Sequence, residues 1–272
     1  MKRNSKSAVV ILSAISALSL VGQSARAVVV NVDFGLHDDH PDGTVSTPYT
    51  GTAGAADSGT TWNELQVQDN NNFAGAPGEF GFWDTTTTVP NLLDSQGVAT
   101  TLSITATSNP GSTGAFGILD GSSNLGAVAT DAVDLMRDYL IGFNGPQTVQ
   151  LSGFTAGTLV DLYLYGAGDG ENRDTLFSVT DINGLHTGTT TGTVTSDTNN
   201  PVAHTLTLGG DYVVLSGLVA DGSGNITISY QSGGGSNEAP FNGLQAVYAV
   251  PEPSAAALLG LAGMALLVRR RI

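Results

Sequence analysis

The chain contains no cysteine among its 272 residues. Disulfide bonds, thiol catalysis, iron–sulfur clusters and cysteine-based zinc sites are therefore excluded. The sequence also lacks the Gly-x-Ser-x-Gly, His-Glu-x-x-His and Gly-Lys-Ser/Thr patterns of common hydrolases and nucleotide-binding enzymes. Glu64 and Glu79 are the carboxylates that a glycoside hydrolase would need, but nothing in the sequence brings them together. We therefore expect a protein that is not an enzyme.

Positive charge is nearly absent from the middle of the chain. Of nine lysines and arginines, seven lie in the terminal segments 1–27 and 250–272, and only Arg137 and Arg173 remain between them. The middle segment carries 23 of the 24 acidic residues, which gives it a net charge of −21. Such a surface repels the phosphates of nucleic acids, which excludes nucleic acid as a partner. It attracts divalent cations, so Ca²⁺ is a candidate cofactor, although an acidic surface also keeps an exported protein soluble.

The N-terminal segment has the three parts of a secretory signal. Basic side chains lie within residues 2–6, an apolar run spans 8–21, and the small residues Ala25 and Ala27 define a cleavage position after Ala27. We therefore predict a signal-peptide helix within residues 1–27, with the working domain beginning at residue 28.

The C-terminal segment, residues 250–272, is also built in three parts. Its apolar run at 255–268 would form a helix of about 21 Å, which is shorter than the roughly 30 Å hydrocarbon core of a bilayer. The arginines after this run should stay on the cytoplasmic side, which leaves the rest of the chain outside. The residues that define the segment are Pro251, Glu252 and Pro253 before the run, and Arg269, Arg270 and Arg271 after it.

This segment resembles the PEP-CTERM sorting signal of Gram-negative bacteria, and an ordinary single-pass tail anchor is the alternative. The resemblance implies that a membrane transpeptidase-like enzyme, an exosortase, processes the tail. The transmembrane-like helix would then anchor the protein only transiently in the inner membrane, before the protein reaches the cell surface or the extracellular space.

Short alternating runs between turn residues dominate residues 28–249. They predict one all-β domain, an antiparallel β-sandwich or jelly roll. The clearest strand is predicted over Leu159–Tyr165, where Val160, Leu162 and Leu164 would face the core. The opposite face of this strand is expected to be wet.

Two local features are predicted beside the strands. Residues Asp131–Leu140 are the best candidate for a short helix, with Asp131 as its N-cap, because Val133, Met136, Tyr139 and Leu140 share a face. The Asn183-Gly184 pair predicts a hairpin turn, since this dipeptide tolerates positive φ.

The middle segment resembles the β-jelly-roll domains of PEP-CTERM proteins from planctomycetes and verrucomicrobia. Its fold is similar to galactose-binding-like domains, in which the first and last strands lie side by side. The resemblance implies a possible glycan-binding role for this domain. The motifs that carry it are VNVDFG (30–35), TTWN (60–63), SGFTAGTLVDLYLYGAGD (152–169), YVVLSGLVADGSGNITISY (212–230) and FNGLQAV (241–247).

One polar loop has the composition of a metal site. Carboxylates in such a loop suit Ca²⁺, and imidazoles suit transition metals. The spacing matches no known zinc pattern, and an exposed polar loop is the alternative. The candidate ligands are His37, Asp38, Asp39, His40 and Asp42.

A second group of residues is a candidate ligand-binding site at and after the predicted strand 159–165. An arginine beside carboxylates can hydrogen-bond sugar hydroxyls, and an exposed tyrosine ring can stack on a sugar. The alternative is structural, with Arg173 paired to a neighbouring carboxylate that orders the loop. The candidates are Asp161, Tyr163, Tyr165, Asp169, Arg173 and Asp174.

Other aromatic residues are candidates for the same stacking role. Packing in the core or between sheets is the more usual role for such side chains. These further candidates are Trp62, Phe80, Phe82 and Trp83.

Three functions are compatible with the sequence. The leading hypothesis is a non-catalytic component of the cell surface or extracellular matrix, sorted by an exosortase and associated with exopolysaccharide, as in a biofilm. The second is a carbohydrate-binding module for a specific glycan. The third is a secreted glycoside hydrolase.

Overall fold

The computed structural model describes residues 25–36, 49–56, 58–67, 79–83, 85–117, 135–136, 138–168, 173–191 and 206–251. These residues are almost entirely β-strands and turns, as the sequence predicts. Residues Val28–Tyr248 form one compact unit. No helix within the described ranges combines the length and the apolar character needed to cross a membrane.

Fifteen strands are described, and they are numbered in chain order. They are β1 (Ala25–Leu36), β2 (Asn63–Val67), β3 (Glu79–Phe82), β4 (Thr87–Val89), β5 (Ser103–Ala106), β6 (Thr113–Gly117), β7 (Asp138–Gly142), β8 (Gln147–Ser152), β9 (Leu159–Tyr165), β10 (Thr175–Asp181), β11 (Gly184–Thr189), β12 (Tyr212–Val219), β13 (Asn225–Ser232), β14 (Ala239–Phe241) and β15 (Gly243–Pro251).

The strands form three sheets. The five-stranded sheet has the order β12-β9-β15-β1-β2, the six-stranded sheet β11-β10-β13-β8-β5-β4, and the four-stranded sheet β14-β7-β6-β3. The first and last strands, β1 and β15, are neighbours, as the resemblance to jelly-roll domains implied. Strands β1 and β2 run parallel, with Val32 opposite Asn63, and the other strand pairs with a described register are antiparallel.

The main core joins the five-stranded and six-stranded sheets. Strand β9 contributes Val160, Leu162 and Leu164, which are buried on one face as their alternation predicts. Ile104 and Ile228 of the six-stranded sheet belong to the same cluster. Burying each of these side chains stabilises the fold by about 1.5–3 kcal/mol relative to exposure, so this shared core defines the β-sandwich.

The opposite face of the five-stranded sheet is partly covered by residues 49–56 and 58–62, which we call the covering segment. Gln245 of β15 links this segment to the sheet: its Oε1 accepts hydrogen bonds from Ala55 N at 2.8 Å and from the Tyr165 hydroxyl at 2.5 Å. Its Nε2 donates to Asn31 Oδ1 of β1 at 2.8 Å. All of the polar groups in this set are buried and are hydrogen-bonded to one another, as buried polar groups must be.

Asn31 extends this network further along the covering segment. Its Nδ2 donates to the carbonyl oxygens of Ser58 at 2.6 Å and Thr61 at 2.8 Å. At the start of the segment, Tyr49 N donates to the Asp33 carboxylate at 2.8 Å. The covering segment is therefore attached to β1 at its beginning and near its end.

The predicted helix over residues 131–140 is wrong at its C-terminal end. Only Leu135 and Met136 are helical among its described residues, and β7 begins at Asp138. Leu140 pairs with Ala115 of β6 on one side and with Phe241 of β14 on the other. The ladder hydrogen bonds on both sides favour a strand, so tertiary pairing overrides the helical pattern.

The predicted hairpin at Asn183-Gly184 is confirmed. Strands β10 and β11 pair from Leu176↔Thr189 to Asp181↔Gly184. Gly184 has a φ of 119°, a value that a residue with a Cβ rarely adopts. The glycine therefore allows the chain to reverse directly into β11.

Both predicted sorting segments lie mostly outside the described residues. The predicted signal-peptide helix and the predicted transmembrane-like helix both lie outside the described residues. Ala25 and Ala27 belong to the start of β1, and Pro251 is the last residue of β15. Their presence in strands does not test cleavage after Ala27, which stays a prediction.

Candidate functional site

A group of half-buried aromatic and acidic side chains lies on the outer face of the five-stranded sheet. We call this the tyrosine face and define it by Asp161, Tyr163 and Tyr212. The Tyr163 and Tyr212 rings are stacked, with centroids 6.1 Å apart and planes at 28°. Both rings are neither fully buried nor fully exposed. The sequence predicted Tyr163 as a candidate and missed Tyr212, which comes from the neighbouring strand.

Tyr165 is not part of an exposed surface, so the expectation of a wholly wet face is wrong at this residue. Its side chain is 0% exposed and packs beneath the ring of Tyr212, with centroids 5.4 Å apart. Its hydroxyl donates to Gln245 and accepts a hydrogen bond from Gly54 N at 2.6 Å. Burial raises the pKa of Tyr165 far above its usual value, so the hydroxyl remains a donor. The covering segment accounts for this burial, and a single strand pattern does not reveal it.

Asp161 is tied to an irregularity in the adjacent strand. The register between β9 and β12 shifts between Leu215 and Leu218, and Gly217 within this bulge has a φ of 69°. Asp161 Oδ1 accepts a hydrogen bond from Gly217 N at 2.7 Å. The carboxylate therefore stabilises the bulge, where an extra residue leaves backbone groups outside the regular ladder.

Arg173 pairs with a carboxylate distant in sequence. Its Nη1 lies 2.8 Å from Glu238 Oε2, and the same nitrogen donates to the Tyr139 hydroxyl at 3.0 Å. Glu238 Oε2 has no aligned hydrogen-bond donor, so charge attraction holds this contact. The side chains of the pair are 23% and 30% exposed, so we expect it to contribute less than about 1 kcal/mol to stability. The expected partner was a carboxylate within the loop itself.

Asp174 shapes the neighbouring loop. Its carbonyl accepts a hydrogen bond from Gly233 N at 3.1 Å, and its Oδ1 accepts one from Gly235 N at 2.9 Å. These bonds connect the chain before β10 to the loop after β13. Arg173 and Asp174 thus form a group around the 233–238 loop, and no contact is described between this group and the tyrosine face.

The two tryptophans are packed inside the protein. Trp62 lies 5.1 Å from Tyr49 in an edge-to-face contact and donates from Nε1 to Gly51 O. Trp83 is buried, with its Nε1 donating to Gly114 O at 2.9 Å. Neither ring is presented for stacking on a sugar, and the more usual core role applies to both.

The remaining predicted residues lie outside the described side chains. These residues are Asp169, the metal-loop candidates His37, Asp38, Asp39, His40 and Asp42, the sorting residues Glu252, Pro253, Arg269, Arg270 and Arg271, and the side chains of Glu79, Phe80 and Phe82.

Within the described ranges, no three histidine, aspartate or glutamate side chains gather into a group that could hold a metal ion.

Asp181, at the end of β10, is a buried acid that sequence analysis did not select. Its side chain is 2% exposed. Oδ2 accepts a hydrogen bond from Val219 N at 2.7 Å, and Oδ1 accepts one from Asn183 N at 2.7 Å and contacts His186 Nε2 at 3.2 Å. Burial opposes ionisation, but these donors outweigh it and hold the pKa of Asp181 below its usual value. The bond to Val219 joins the six-stranded sheet to the five-stranded sheet.

Comparison with known proteins identifies the C-terminal segment. Residues 249–271 match the model of the PEP-CTERM protein-sorting motif. The chain therefore carries a sorting motif of this class, as its sequence predicts. The first three matched residues, 249–251, form the end of β15.

No curated protein matches the chain. A solved structure that matches part of it is "Structure of TmCBM61 in complex with beta-1,4-galactotriose", with 13% sequence identity and a TM-score of 0.23 over 56% of this chain and 88% of that chain. A TM-score this low assigns neither a fold nor a ligand, so the β-sandwich rests on the sheets described above. Membership of a planctomycete or verrucomicrobial group stays a prediction.

The first prediction concerns the pH dependence of the Asp181 contacts. Because the folded-state pKa lies below the ordinary value of 3.8, the stabilisation is complete above that value and is lost as the pH falls through the folded-state pKa. We expect Asp181→Asn to lower the midpoint of urea unfolding at neutral pH. The difference from wild type should shrink in acid.

The matched control is Asn183→Ala, which removes an exposed, uncharged side chain from the same turn. Its effect should not change with pH, because no ionisable group is altered. An Asp181→Asn difference that stays equally large below pH 3, approximately one unit under the ordinary aspartate pKa, would contradict this account.

Proposed function

We propose that the protein is an exported, non-catalytic component of the cell surface or extracellular matrix, sorted by an exosortase-type membrane transpeptidase and associated with exopolysaccharide. The observation that carries the proposal is the PEP-CTERM sorting motif at residues 249–271. Residues 250–272 would hold the protein transiently in the inner membrane, and processing would release it.

The distribution of charge supports transient anchoring. The two terminal segments carry seven of the nine basic residues, whereas the domain between them has a net charge of −21. A domain with this charge is repelled by anionic lipid headgroups and by nucleic acids. Once separated from its tail, the domain would have no electrostatic reason to remain at the membrane.

The second prediction tests processing of the tail. The protein is expressed in a Gram-negative host with an exosortase and in the same host without it, and the intact mass of each cell fraction is measured. We expect loss of the C-terminal segment only in the first host. A variant with Pro251→Ala, Glu252→Ala and Pro253→Ala should keep the full mass and remain in the membrane fraction.

The matched control replaces two prolines of the β-sandwich unit, Pro90→Ala and Pro110→Ala, both of which are exposed. This control should be processed like wild type. An unprocessed wild-type protein in the exosortase-positive host would identify the segment as an ordinary tail anchor and overturn the sorting proposal.

A second candidate function, glycan binding, is favoured by the tyrosine face. The stacked pair of Tyr163 and Tyr212 presents aromatic surface on the sheet. Asp161 lies two residues before Tyr163 on β9, so the two side chains share a face. The apolar face of a sugar ring can pack on such rings while its hydroxyls reach a carboxylate. This arrangement supports a carbohydrate-binding role.

The third prediction tests the tyrosine face by retardation of the purified protein in gels that contain a soluble neutral glucan. Tyr163→Ala should weaken retardation by about tenfold, since stacking on an aromatic ring and the buried apolar area together are worth at least about 1.4 kcal/mol. Tyr163→Phe keeps the ring and serves as the matched control. Equal retardation of wild type and Tyr163→Ala would exclude the tyrosine face as the binding surface.

A further inference from the structure

A pocket lies where two paired strands of the six-stranded sheet separate. Strands β10 and β13 pair from Thr175↔Ser232 to Val179↔Ile228. Both continue past that point, β10 as far as Asp181, but the described pairing stops. The space beyond it has a volume of about 460 Å³. This volume is within the range of about 300–1,000 Å³ that is typical of small-molecule sites.

One wall of the pocket is held by the Asp181 contacts described above. The bond from Val219 N attaches the end of β10 to β12 of the five-stranded sheet. Gly157 N donates to Ala220 O at 3.0 Å, and Ala220 N donates to Thr158 O at 3.0 Å, so the chain after β12 is held as well. These bonds fix the positions of Asp181, Val219 and Ala220, which line the pocket.

A further part of the lining is held by Asp221 in the turn between β12 and β13. Its Oδ1 accepts hydrogen bonds from Ser223 N at 2.7 Å and Asn225 N at 2.9 Å. Its own N–H donates to Asn225 O at 2.9 Å. The hydrogen bonds from the Asn225 and Ser223 amides lower the pKa of Asp221, so this carboxylate is charged at neutral pH.

The lining combines an apolar floor with a polar rim. Val179, Ala220 and Ile226 are buried and line the pocket. Thr180 and Thr227 are exposed and line the pocket. A threonine hydroxyl can donate and accept hydrogen bonds; that of Thr227 already accepts one from Gln150 Nε2 at 3.0 Å, and it can still donate. Such a site can hold the carbon skeleton of a ligand and bond its hydroxyl groups.

An isoleucine projects beside the pocket. Ile182, at the tip of the β10–β11 hairpin, is 85% exposed although it is a large apolar residue. It is one of the residues that line the pocket. Its exposure gives a ligand an apolar surface to cover, and this burial would add to binding.

We propose that this pocket binds one sugar residue of a polysaccharide that carries no negative charge. The proposal rests on the proposed association with exopolysaccharide and names the part of the protein that would make a specific contact. The ligand must offer hydroxyl groups to the threonine rim and a carbon face to the apolar floor. A terminal or branching residue could enter the pocket while the rest of the polymer remains outside.

The charge of the pocket excludes acidic sugars. Its lining includes the carboxylates of Asp181 and Asp221 and contains no lysine or arginine. A uronate or a sulfated sugar would meet two negative charges without a compensating cation, and the domain as a whole would repel it. Neutral sugars and amine-bearing sugars both offer hydroxyl groups and a carbon face without a negative charge.

The fourth prediction tests the pocket by gel retardation of the mature protein on three polymers: a neutral glucan, chitosan as the amine-bearing polymer and alginate as the acidic one. Retardation is expected with the glucan or chitosan and not with alginate. Thr180→Phe and Thr227→Phe fill the pocket with a ring and should each weaken retardation by about tenfold or more, since a filled pocket excludes the sugar.

Thr187→Phe is the matched control, because Thr187 is an exposed threonine of the adjacent strand β11 and does not line the pocket. It should be retarded like wild type. All three variants should keep the wild-type unfolding midpoint, since phenylalanine is well tolerated on exposed strand positions.

Three results would overturn the proposal. They are no retardation of wild type by any of the polymers, equal retardation by alginate, and wild-type retardation of both pocket variants. If the third result came together with loss of binding in Tyr163→Ala, the contact would be assigned to the tyrosine face. Sorting by the C-terminal segment is read from the intact mass and does not depend on any of these outcomes.

Discussion

The side chain of Gln245 joins its own strand, β15, to three other segments of the chain. Its amide contacts Asn31 of the first strand, Ala55 of the covering segment and Tyr165 of the central strand β9. Each of these groups is buried, and a buried polar group that loses its partner costs about 1–3 kcal/mol. The covering segment can therefore lie on the sheet only in the one position that satisfies all of them.

This network explains several sequence motifs that might otherwise suggest a binding site. Asn31 belongs to VNVDFG, Tyr165 to LYLYG and Gln245 to FNGLQAV, while Trp62 of TTWN packs in the covering segment against Tyr49. Their polar and aromatic side chains connect the segment to the sheet. Asn31, Tyr165, Gln245 and Trp62 thus serve the architecture of the domain.

The same network determines where a ligand could bind. Among the described residues, the covering segment buries Tyr165 but leaves Tyr163 and Tyr212 only half-buried. The pocket beside Ile182 lies elsewhere, next to the bond by which Asp181 attaches the end of β10 to β12. Both candidate surfaces therefore result from contacts between segments that are distant in sequence.

Local patterns in the sequence were enough to predict part of this fold. The strand 159–165 and the turn at Asn183-Gly184 depend on side-chain alternation and on one glycine, and both are confirmed. The burial of Tyr165 and the strand at Leu140 depend on pairing with distant segments, which alternation within one strand does not encode. The partner of Tyr163 and the contacts of Asp181 likewise come from other strands.

The central claim is that the covering segment is an integral part of the folded domain. The most direct measurement is native-state hydrogen exchange of the Ala55 amide, which donates to Gln245 and has no role in a strand ladder. The account predicts that this amide exchanges only through global unfolding, with the same free energy as amides in the centre of β9. Exchange at the much lower free energy of an exposed loop would contradict it.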